Sequence, residues 1–219
     1  AAYARTRDFA DNMSRPVGGP NGLFTAPVQH TCMVAEKLAA ARAALAETEG
    51  VLVAFSGGVD SSVVAALAHD ALGDDAVACT AKSETLPAAE LADARRVADE
   101  IGIRHDVVGF SELESDAFVA NDDDRCYHCR SMRLGAMFDK AAELDIPIVC
   151  DGTNASDPGE GHRPGLRAVD ELDAYSPLLE HDITKDEVRE IARDYGLSDA
   201  DKPSICLFHT SDGAHDPLR

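Results

Sequence analysis

Short apolar segments alternate along the chain with longer segments in which apolar residues recur at helical spacing. The longer segments occupy residues 61–72, 86–102, 129–145 and 185–197, and each predicts a helix. The short apolar segments predict buried strands at residues 51–55, 76–80, 104–110 and 146–153. Strands that alternate with helices indicate an α/β fold, in which a parallel twisted sheet is flanked by helices. Such a sheet places its ligand crevice at the carboxyl ends of the strands.

Individual residues sharpen the predicted helix boundaries. Gly102 follows the helical pattern of 86–101 and is a typical helix-ending residue. Thr184 and Glu187 have the spacing of a capping box, which predicts that a helix begins at Lys185. The segment 36–47 predicts a helix that leads into the first strand.

The chain divides by pattern into three parts. Residues 1–30 contain Pro, Gly and Asn without a sustained apolar period, which predicts an irregular leader, and they lack the apolar centre of a secretory signal. Residues 31–207 carry the alternating pattern of one domain, and residues 208–219 form a divergent tail. No apolar segment approaches the ~20 residues of a membrane span, so we expect a cytoplasmic protein without a membrane partner.

Charge excludes one broad class of partner. The 40 Asp and Glu residues outnumber the 20 Lys and Arg residues, giving a formal net charge of −20. General nucleic-acid binding is therefore not expected, because phosphate backbones bind clusters of Lys and Arg. The acidic residues are spread along the whole chain, which is typical of a salt-adapted, hydrated surface.

The loop at residues 56–61, "SGGVDS", lies between the first predicted strand and the helix that follows it. Backbone N–H groups of Ser56, Gly57 and Gly58, together with the helix N-terminus, would face an anion. Asp60 is a candidate Mg²⁺ ligand, because a hard cation beside phosphates prefers a carboxylate. The loop matches neither the Walker A pattern nor GxGxxG. A tight turn without a ligand is the alternative interpretation.

The same loop resembles the "SGGxDS" loop of the ATP pyrophosphatase (PP-loop) superfamily, which binds the pyrophosphate of ATP. Four further segments, at 82–91, 111–130, 151–168 and 176–207, together resemble the LarE family of ATP-dependent sulfur transferases. That resemblance implies an adenine nucleotide alpha hydrolase-like fold. It also implies adenylation of a pyridinium dicarboxylate mononucleotide, followed by sulfur insertion, for synthesis of a nickel-pincer cofactor. A homo-oligomer and Mg²⁺ are implied with it.

The resemblance and the predicted crevice together give a set of site residues. The predicted ATP-binding residues are Ser56, Gly57, Gly58, Asp60, Ser61, Ser62, Lys82 and Asp151. Asn154, Arg163 and Arg167 are predicted to bind the substrate, since guanidinium groups bind phosphate and carboxylate groups bidentately. Surface ion pairing is the alternative for both arginines. Lys202 could approach the adenylate or cap the preceding turn.

Three cysteines carry the predicted sulfur chemistry. Cys126 and Cys129 form a C-x2-C pair, and Cys206 lies far along the chain. Three thiolates could hold three irons of a [4Fe-4S] cluster and leave the fourth iron open. Structural zinc, with His128 as a further ligand, is an alternative for the pair, and a disulfide fits a cytoplasmic protein less well. Cys79 and Cys150 lie in predicted strands and are expected to be buried apolar side chains.

The implied reaction has two steps, in which Asp60 and Cys206 are the predicted catalytic residues. A substrate carboxylate attacks the α-phosphate of ATP and pyrophosphate leaves. The Cys206 thiolate, or sulfide on the open iron, then attacks the acyl carbon and expels AMP. In the family, a late cysteine that gives up its own sulfur becomes dehydroalanine, whereas the additional pair implies delivery of a cluster-bound sulfide.

One departure from the family, and two other classes of function, stay open. After Leu207 the family pattern predicts a Ser-Arg pair and a further arginine-bearing region, whereas this chain continues "FHTSDGAHDPLR". Another adenylating enzyme, such as a tRNA thiolase or an ammonia-dependent amide synthetase, would keep the same loop. A non-catalytic nucleotide-binding or metal-binding paralogue is the second class.

Overall fold

The computed structural model describes residues 26–113, 115, 118, 124–159 and 164–202 of the 219-residue chain. The described strands are β1 (Val51–Ala54), β2 (Ala76–Lys82), β3 (Arg104–Gly109) and β4 (Ile148–Cys150). The described helices are α1 (Ala26–Ala46), α2 (Val59–Leu72), α3 (Ala88–Ile101), α4 (Arg125–Glu143), α5 (Pro164–Glu171), α6 (Pro177–Glu180) and α7 (Lys185–Asp194). Short 3₁₀ turns lie at Gly73–Asp75 and Asp157–Gly159. All four predicted strands and all five predicted helices are confirmed; most shift only slightly at their ends, whereas the helix predicted at 36–47 begins ten residues earlier, at Ala26.

The four strands form one parallel sheet in the order β3-β2-β1-β4. Beyond β4, Tyr175 extends the sheet through a parallel bridge to Cys150. β1 is therefore central, and the loop that follows it opens at the carboxyl edge of the sheet between two neighbouring strands. This parallel α/β architecture confirms the predicted fold class.

Both faces of the sheet are covered by helices. Alternate side chains of β1 point to opposite faces, so the strand contributes to a core on each side. Val51, Val53 and Phe55 join the larger core, which packs against α1, α2, α3 and α7. Leu52 faces the other way and joins Cys79, Val149 and Met137 of α4 in a smaller core. The sheet is buried on both faces, which explains why its strands are near-continuous apolar runs.

Helix ends follow the predicted capping residues in two places. Gly102 follows α3 with a left-handed backbone at φ +83°, and its N–H donates to the carbonyl of Ala98. The capping box of Thr184 and Glu187 is present at the start of α7. At the other end of the chain, α1 begins at Ala26, so its first five residues belong to the segment predicted as an irregular leader. The predicted boundary at residue 30 is therefore too late.

The two strand cysteines are buried as expected. Cys79 and Cys150 have no exposed surface in the structure. Burial raises the pKa of the Cys79 thiol to about 11, and it also raises the pKa of Cys150. Among the described helices, none combines the length and apolar character that a membrane crossing requires.

Candidate nucleotide and sulfur-transfer site

The loop 56–61 leaves β1 and packs closely on α3 before α2 begins. Gly57 has φ +70°, and a Cβ placed there would lie 2.7 Å from the Cα of Ala94. A side chain at this position would therefore meet both backbone strain and a steric clash. The glycine lets the loop pass against α3 and turn directly into the first turn of α2.

Serine hydroxyl groups hold the loop from inside. The Ser61 hydroxyl donates to the carbonyl of Gly58 at 2.9 Å, and it lies 3.2 Å from the Ser56 hydroxyl. The buried Ser62 hydroxyl lies within hydrogen-bond distance of the Asp199 carboxylate at 2.6 Å and the Gly58 carbonyl at 3.1 Å. Of the three predicted ATP-binding serines, Ser56 is exposed, while Ser61 and Ser62 are buried. Ser61 and Ser62 therefore stabilise the shape of the loop in the described state.

Asp60 lies in the first turn of α2 and is half-buried at the mouth of the crevice. Asn154 donates its side-chain N–H to Oδ1 of Asp60 at 3.1 Å, and the Lys185 ammonium donates to Oδ2. The structure thus brings together two residues that the sequence placed 94 positions apart. A partly exposed carboxylate beside a helix N-terminus is an oxygen ligand that fits Mg²⁺ next to phosphate.

Asp151 lies at the carboxyl end of β4 and is buried. Its carboxylate accepts hydrogen bonds from the hydroxyl groups of Thr153 at 2.7 Å and Ser176 at 2.6 Å, and it pairs with the Arg130 guanidinium. The next residue, Gly152, lies so close to the first turn of α2 that a Cβ would be 2.9 Å from the Ser61 nitrogen. Asp151 therefore orders the crevice wall from within, and its predicted ATP contact stays a prediction.

Cys126 and Cys129 lie one turn apart near the start of α4, but their surroundings differ. Cys126 is half-buried, whereas Cys129 is buried and its thiol donates to Oε1 of Glu112 at 3.3 Å. Burial raises the pKa of the Cys129 thiol to about 12. Without a metal, Cys129 is therefore a protonated thiol near neutral pH, and binding a metal would require it to release that proton.

The predicted cluster is not supported by the described residues. The third cysteine, Cys206, lies outside them, and within the described ranges no three His, Cys, Asp or Glu side chains gather as metal ligands. Two thiols, one of them bonded to Glu112, do not by themselves fit a [4Fe-4S] cluster or a zinc ion.

The sequence left the contacts of the remaining predicted cationic site residues open, and the structure describes most of them. Arg167 is half exposed, pairs with Glu171 at 3.5 Å and stacks over the Tyr127 ring at 3.8 Å, which matches the surface-pairing alternative. Lys202 pairs with Asp93 of α3 at 3.2 Å. Lys82 is exposed at the end of β2, and Arg163 lies outside the described residues.

Comparison with known proteins gives this geometry a family. A family model described as asparagine synthase matches residues 33–130. The chain is 36% identical over 174 residues to pyridinium-3,5-bisthiocarboxylic acid mononucleotide synthase of Lactiplantibacillus plantarum, covering 79% of this chain and 63% of that protein. The chain belongs to the LarE family of PP-loop ATP pyrophosphatases.

Other relatives of this LarE-family chain extend the comparison. The chain is 41% identical to the uncharacterized protein slr1717 of Synechocystis, covering 78% of this chain and 64% of that protein. It is 31% identical to a tRNA-specific 2-thiouridylase of Ruegeria, covering 77% of this chain and 54% of that protein. The chain thus spans about two thirds or less of the length of these curated relatives.

Solved structures agree on the fold. The NH3-dependent NAD synthetase of Campylobacter jejuni superposes with a TM-score of 0.59 at 21% identity, covering 77% of this chain and 74% of that one. The NMN synthetase of Francisella tularensis superposes with a TM-score of 0.61 at 20% identity, covering 78% and 75%. Both share the fold of this chain.

Three polar residues of the LarE-family site escaped the sequence analysis. The sequence predicted Lys185 only as the first residue of a helix, and it gave Arg130 and Asp199 no role. Each acquires its partner across a long sequence separation, for example 125 positions between Lys185 and Asp60. The spacing between Cys126 and Arg130, four residues on one helix, could have indicated that they share a face.

Proposed function

We propose that this protein is a cytoplasmic, homo-oligomeric, ATP-dependent sulfur transferase. It adenylates a carboxylate of a pyridinium dicarboxylate mononucleotide, releases pyrophosphate and installs sulfur to give a thiocarboxylate for a nickel-pincer cofactor. One observation supports it above the others: loop 56–61 opens at the carboxyl edge of the sheet with Asp60 at the crevice mouth. The similarity to a pyridinium-3,5-bisthiocarboxylic acid mononucleotide synthase indicates the class of substrate.

The first step uses the loop and the start of α2. The pyrophosphate end of ATP binds at the N-terminus of this 14-residue helix, where the helix dipole favours negative charge. Mg²⁺ held by Asp60 would neutralise phosphate charge when bound. The Lys185 ammonium pairs with the same Asp60 carboxylate and supplies a second positive charge at the crevice mouth.

Arg130 extends this cationic edge toward the cysteines. Its guanidinium also donates to the Thr153 hydroxyl at 2.9 Å, and about a third of its side chain stays exposed. A guanidinium fixed by a buried carboxylate is suited to orient an incoming carboxylate or phosphate. An oxygen of the substrate carboxylate attacks the α-phosphorus, and the bond from that phosphorus to the pyrophosphate oxygen breaks.

The second step replaces the adenylate by sulfur. A thiolate attacks the acyl carbon, a carbon–sulfur bond forms, and AMP leaves with the oxygen that was attached to phosphorus. When the thiolate is that of a cysteine, loss of the Cα proton and cleavage of the Cβ–Sγ bond then release the thiocarboxylate and leave dehydroalanine. Cys206 is the proposed nucleophile, and its position lies outside the described residues. The [4Fe-4S] cluster of Cys126, Cys129 and Cys206 stays a prediction, and no step depends on it.

Pyrophosphate release provides the test. The protein is incubated with Mg-ATP and pyridinium-3,5-dicarboxylic acid mononucleotide, and pyrophosphate is measured with a coupled enzyme assay. Release that depends on the mononucleotide is expected. Asp60→Asn should lower the rate by about 10²-fold, the usual effect of losing one electrostatic stabiliser. Asp70→Asn is the matched control, because Asp70 lies at the far end of the same helix and pairs with Arg42.

Other outcomes would reject this proposal. Pyrophosphate release with tRNA alone would indicate a tRNA thiolase, which the charge of −20 opposes. Release that requires ammonia and yields an amide would indicate an amide synthetase. No release with any carboxylate would support a non-catalytic nucleotide-binding protein.

A further inference from the structure

Lys37 of α1 connects that helix to the segment at the start of α7. Its ammonium donates to Oε1 of Glu187 at 2.8 Å, to Oε2 at 3.1 Å, and to the carbonyl of Asp182 at 2.8 Å. An ammonium has three donors, and these three acceptors use them all. The Lys37 side chain is 25% exposed and that of Glu187 is 7% exposed, so solvent screens this pair only weakly.

Glu187 connects Lys37 to the start of α7. Its Oε2 accepts the backbone N–H of Thr184 at 2.7 Å and the Thr184 hydroxyl at 2.9 Å. The first of these bonds is one half of the capping box; the other half joins the Thr184 side chain to the backbone of Glu187, and together they fix where the helix begins. Lys37 therefore holds the carboxylate that determines the position of Lys185, the first residue of α7.

The start of α7 also holds the loop that contains Asn154. The backbone N–H of Lys185 donates to the Ser156 hydroxyl at 3.1 Å, and the N–H of Ala155 donates to the carbonyl of Ile183 at 2.9 Å. The two side chains that hold Asp60, Lys185 and Asn154, thus come from segments bonded to each other. A displacement of the capping box would shift both of these contacts to Asp60.

We propose that Lys37 is a positioning residue for the Asp60 site. Through Glu187 and the capping box, it sets the position of the Lys185 ammonium on the Asp60 carboxylate. The role of this contact in Mg-ATP binding rests on the proposed function, whereas the contact itself can be tested without it. A helix ahead of the first strand would then form part of the nucleotide site without touching the nucleotide.

The first test measures how accessible the Lys185 amine is. Full-length protein is treated with a limiting amount of an amine-acylating ester, and each lysine-containing peptide is quantified by mass spectrometry. Lys37→Met, which keeps the apolar stem and removes the ammonium, is expected to raise Lys185 labelling about threefold, as for loss of a modest ion pair. Arg42→Met is the matched control, because Arg42 pairs with Asp70 from the same helix and is half exposed.

The second test measures how the rate of pyrophosphate release depends on the concentration of Mg-ATP. Lys37→Met should raise the KM for Mg-ATP, with a smaller change in kcat, while Arg42→Met leaves both unchanged. Lys37→Arg should restore part of the wild-type value. Lys37→Gln is measured in parallel, so that a folded variant is available if the methionine variant does not fold.

The results distinguish failure of the Lys37 inference from failure of the proposed function. If wild-type protein releases no pyrophosphate, the proposed function fails and the labelling result alone decides the contact. Unchanged Lys185 labelling in both Lys37→Met and Lys37→Gln would overturn the inference. Increased labelling with an unchanged KM for Mg-ATP in an active enzyme would overturn the positioning role.

Discussion

Gly57→Ala tests the close contact between loop 56–61 and α3. The substitution adds one methyl group at a residue with φ +70°, where the new Cβ would lie 2.7 Å from the Cα of Ala94 and 3.0 Å from its nitrogen. Both atoms belong to the backbone, so a smaller side chain at residue 94 cannot relieve the clash. The loop or α3 must move instead.

The expected cost has two parts. A left-handed backbone costs an L-residue about 1–2 kcal/mol relative to glycine, and overpacking in a dense region costs a further ~1–3 kcal/mol. Their sum is ~2–5 kcal/mol. For a protein of this size, about 1 kcal/mol corresponds to a shift of roughly 2–4 °C in Tm. We therefore expect Gly57→Ala to lower Tm by about 4–20 °C.

Gly196→Ala separates the two parts, because Gly196 has φ +71°, close to that of Gly57, and no atom lies within 4 Å of the added methyl group. It should show the backbone cost alone, about 1–2 kcal/mol. Thermal and urea unfolding, followed by circular dichroism, give both values. If Gly57→Ala destabilises the protein no more than Gly196→Ala does, the close contact with α3 is wrong.

Three further predictions concern buried ionisable groups. Glu112→Gln leaves the Arg133 guanidinium without its charged partner at 3.0 Å. Breaking a buried pair typically lowers the free energy of unfolding by ~3–5 kcal/mol, and because Arg133 is about a third exposed we expect a value near the lower end. Urea unfolding measures this loss. A loss below about 1 kcal/mol, as for an exposed pair, would contradict this. Burial raises the pKa of the Cys129 thiol to about 12, so iodoacetamide at about pH 8 should alkylate the exposed Cys32 well before Cys129 in metal-free protein, as peptide mass spectrometry would show. Equal rates would argue against a buried thiol. Burial also raises the pKa of Asp199 in the native state. The unfolded chain releases the Asp199 proton near the ordinary pKa of about 3.9, whereas the native state still keeps it there. The free energy of unfolding therefore falls as pH rises from the unfolded pKa to the native pKa. Asp199→Asn should therefore gain stability relative to wild type across that window, and a difference independent of pH in urea unfolding would refute it.

The sequence predicted most of what depends on local pattern. The four strands and the helices between them follow from apolar runs and helical spacing, because a sheet buried on both faces requires continuous apolar strands. The capping box at Thr184 and the helix end at Gly102 follow from side-chain and backbone chemistry within a few residues. The loop 56–61 was recognisable because its glycines and serines act within one turn.

Tertiary structure decided which polar side chains meet. Lys185 reaches Asp60 across 125 positions, and Lys37 reaches Glu187 across 150. It also gave Cys126 and Cys129 different environments, because the Cys129 thiol is buried and donates to Glu112. Such pairings depend on how helices pack over the edge of the sheet, and an isolated charge in the sequence does not encode its partner.

The sequence by itself thus determined the parallel α/β scheme and the nucleotide loop. The tertiary structure determined that the residues around Asp60 come from α2, the loop after β4 and the start of α7, with α1 bracing the last of these. The physical reason is the sequence separation over which each interaction acts. Backbone conformation and the pattern of apolar burial depend on residues that are neighbours along the chain. A buried ion pair forms only where the fold brings two distant segments within about 3 Å of each other.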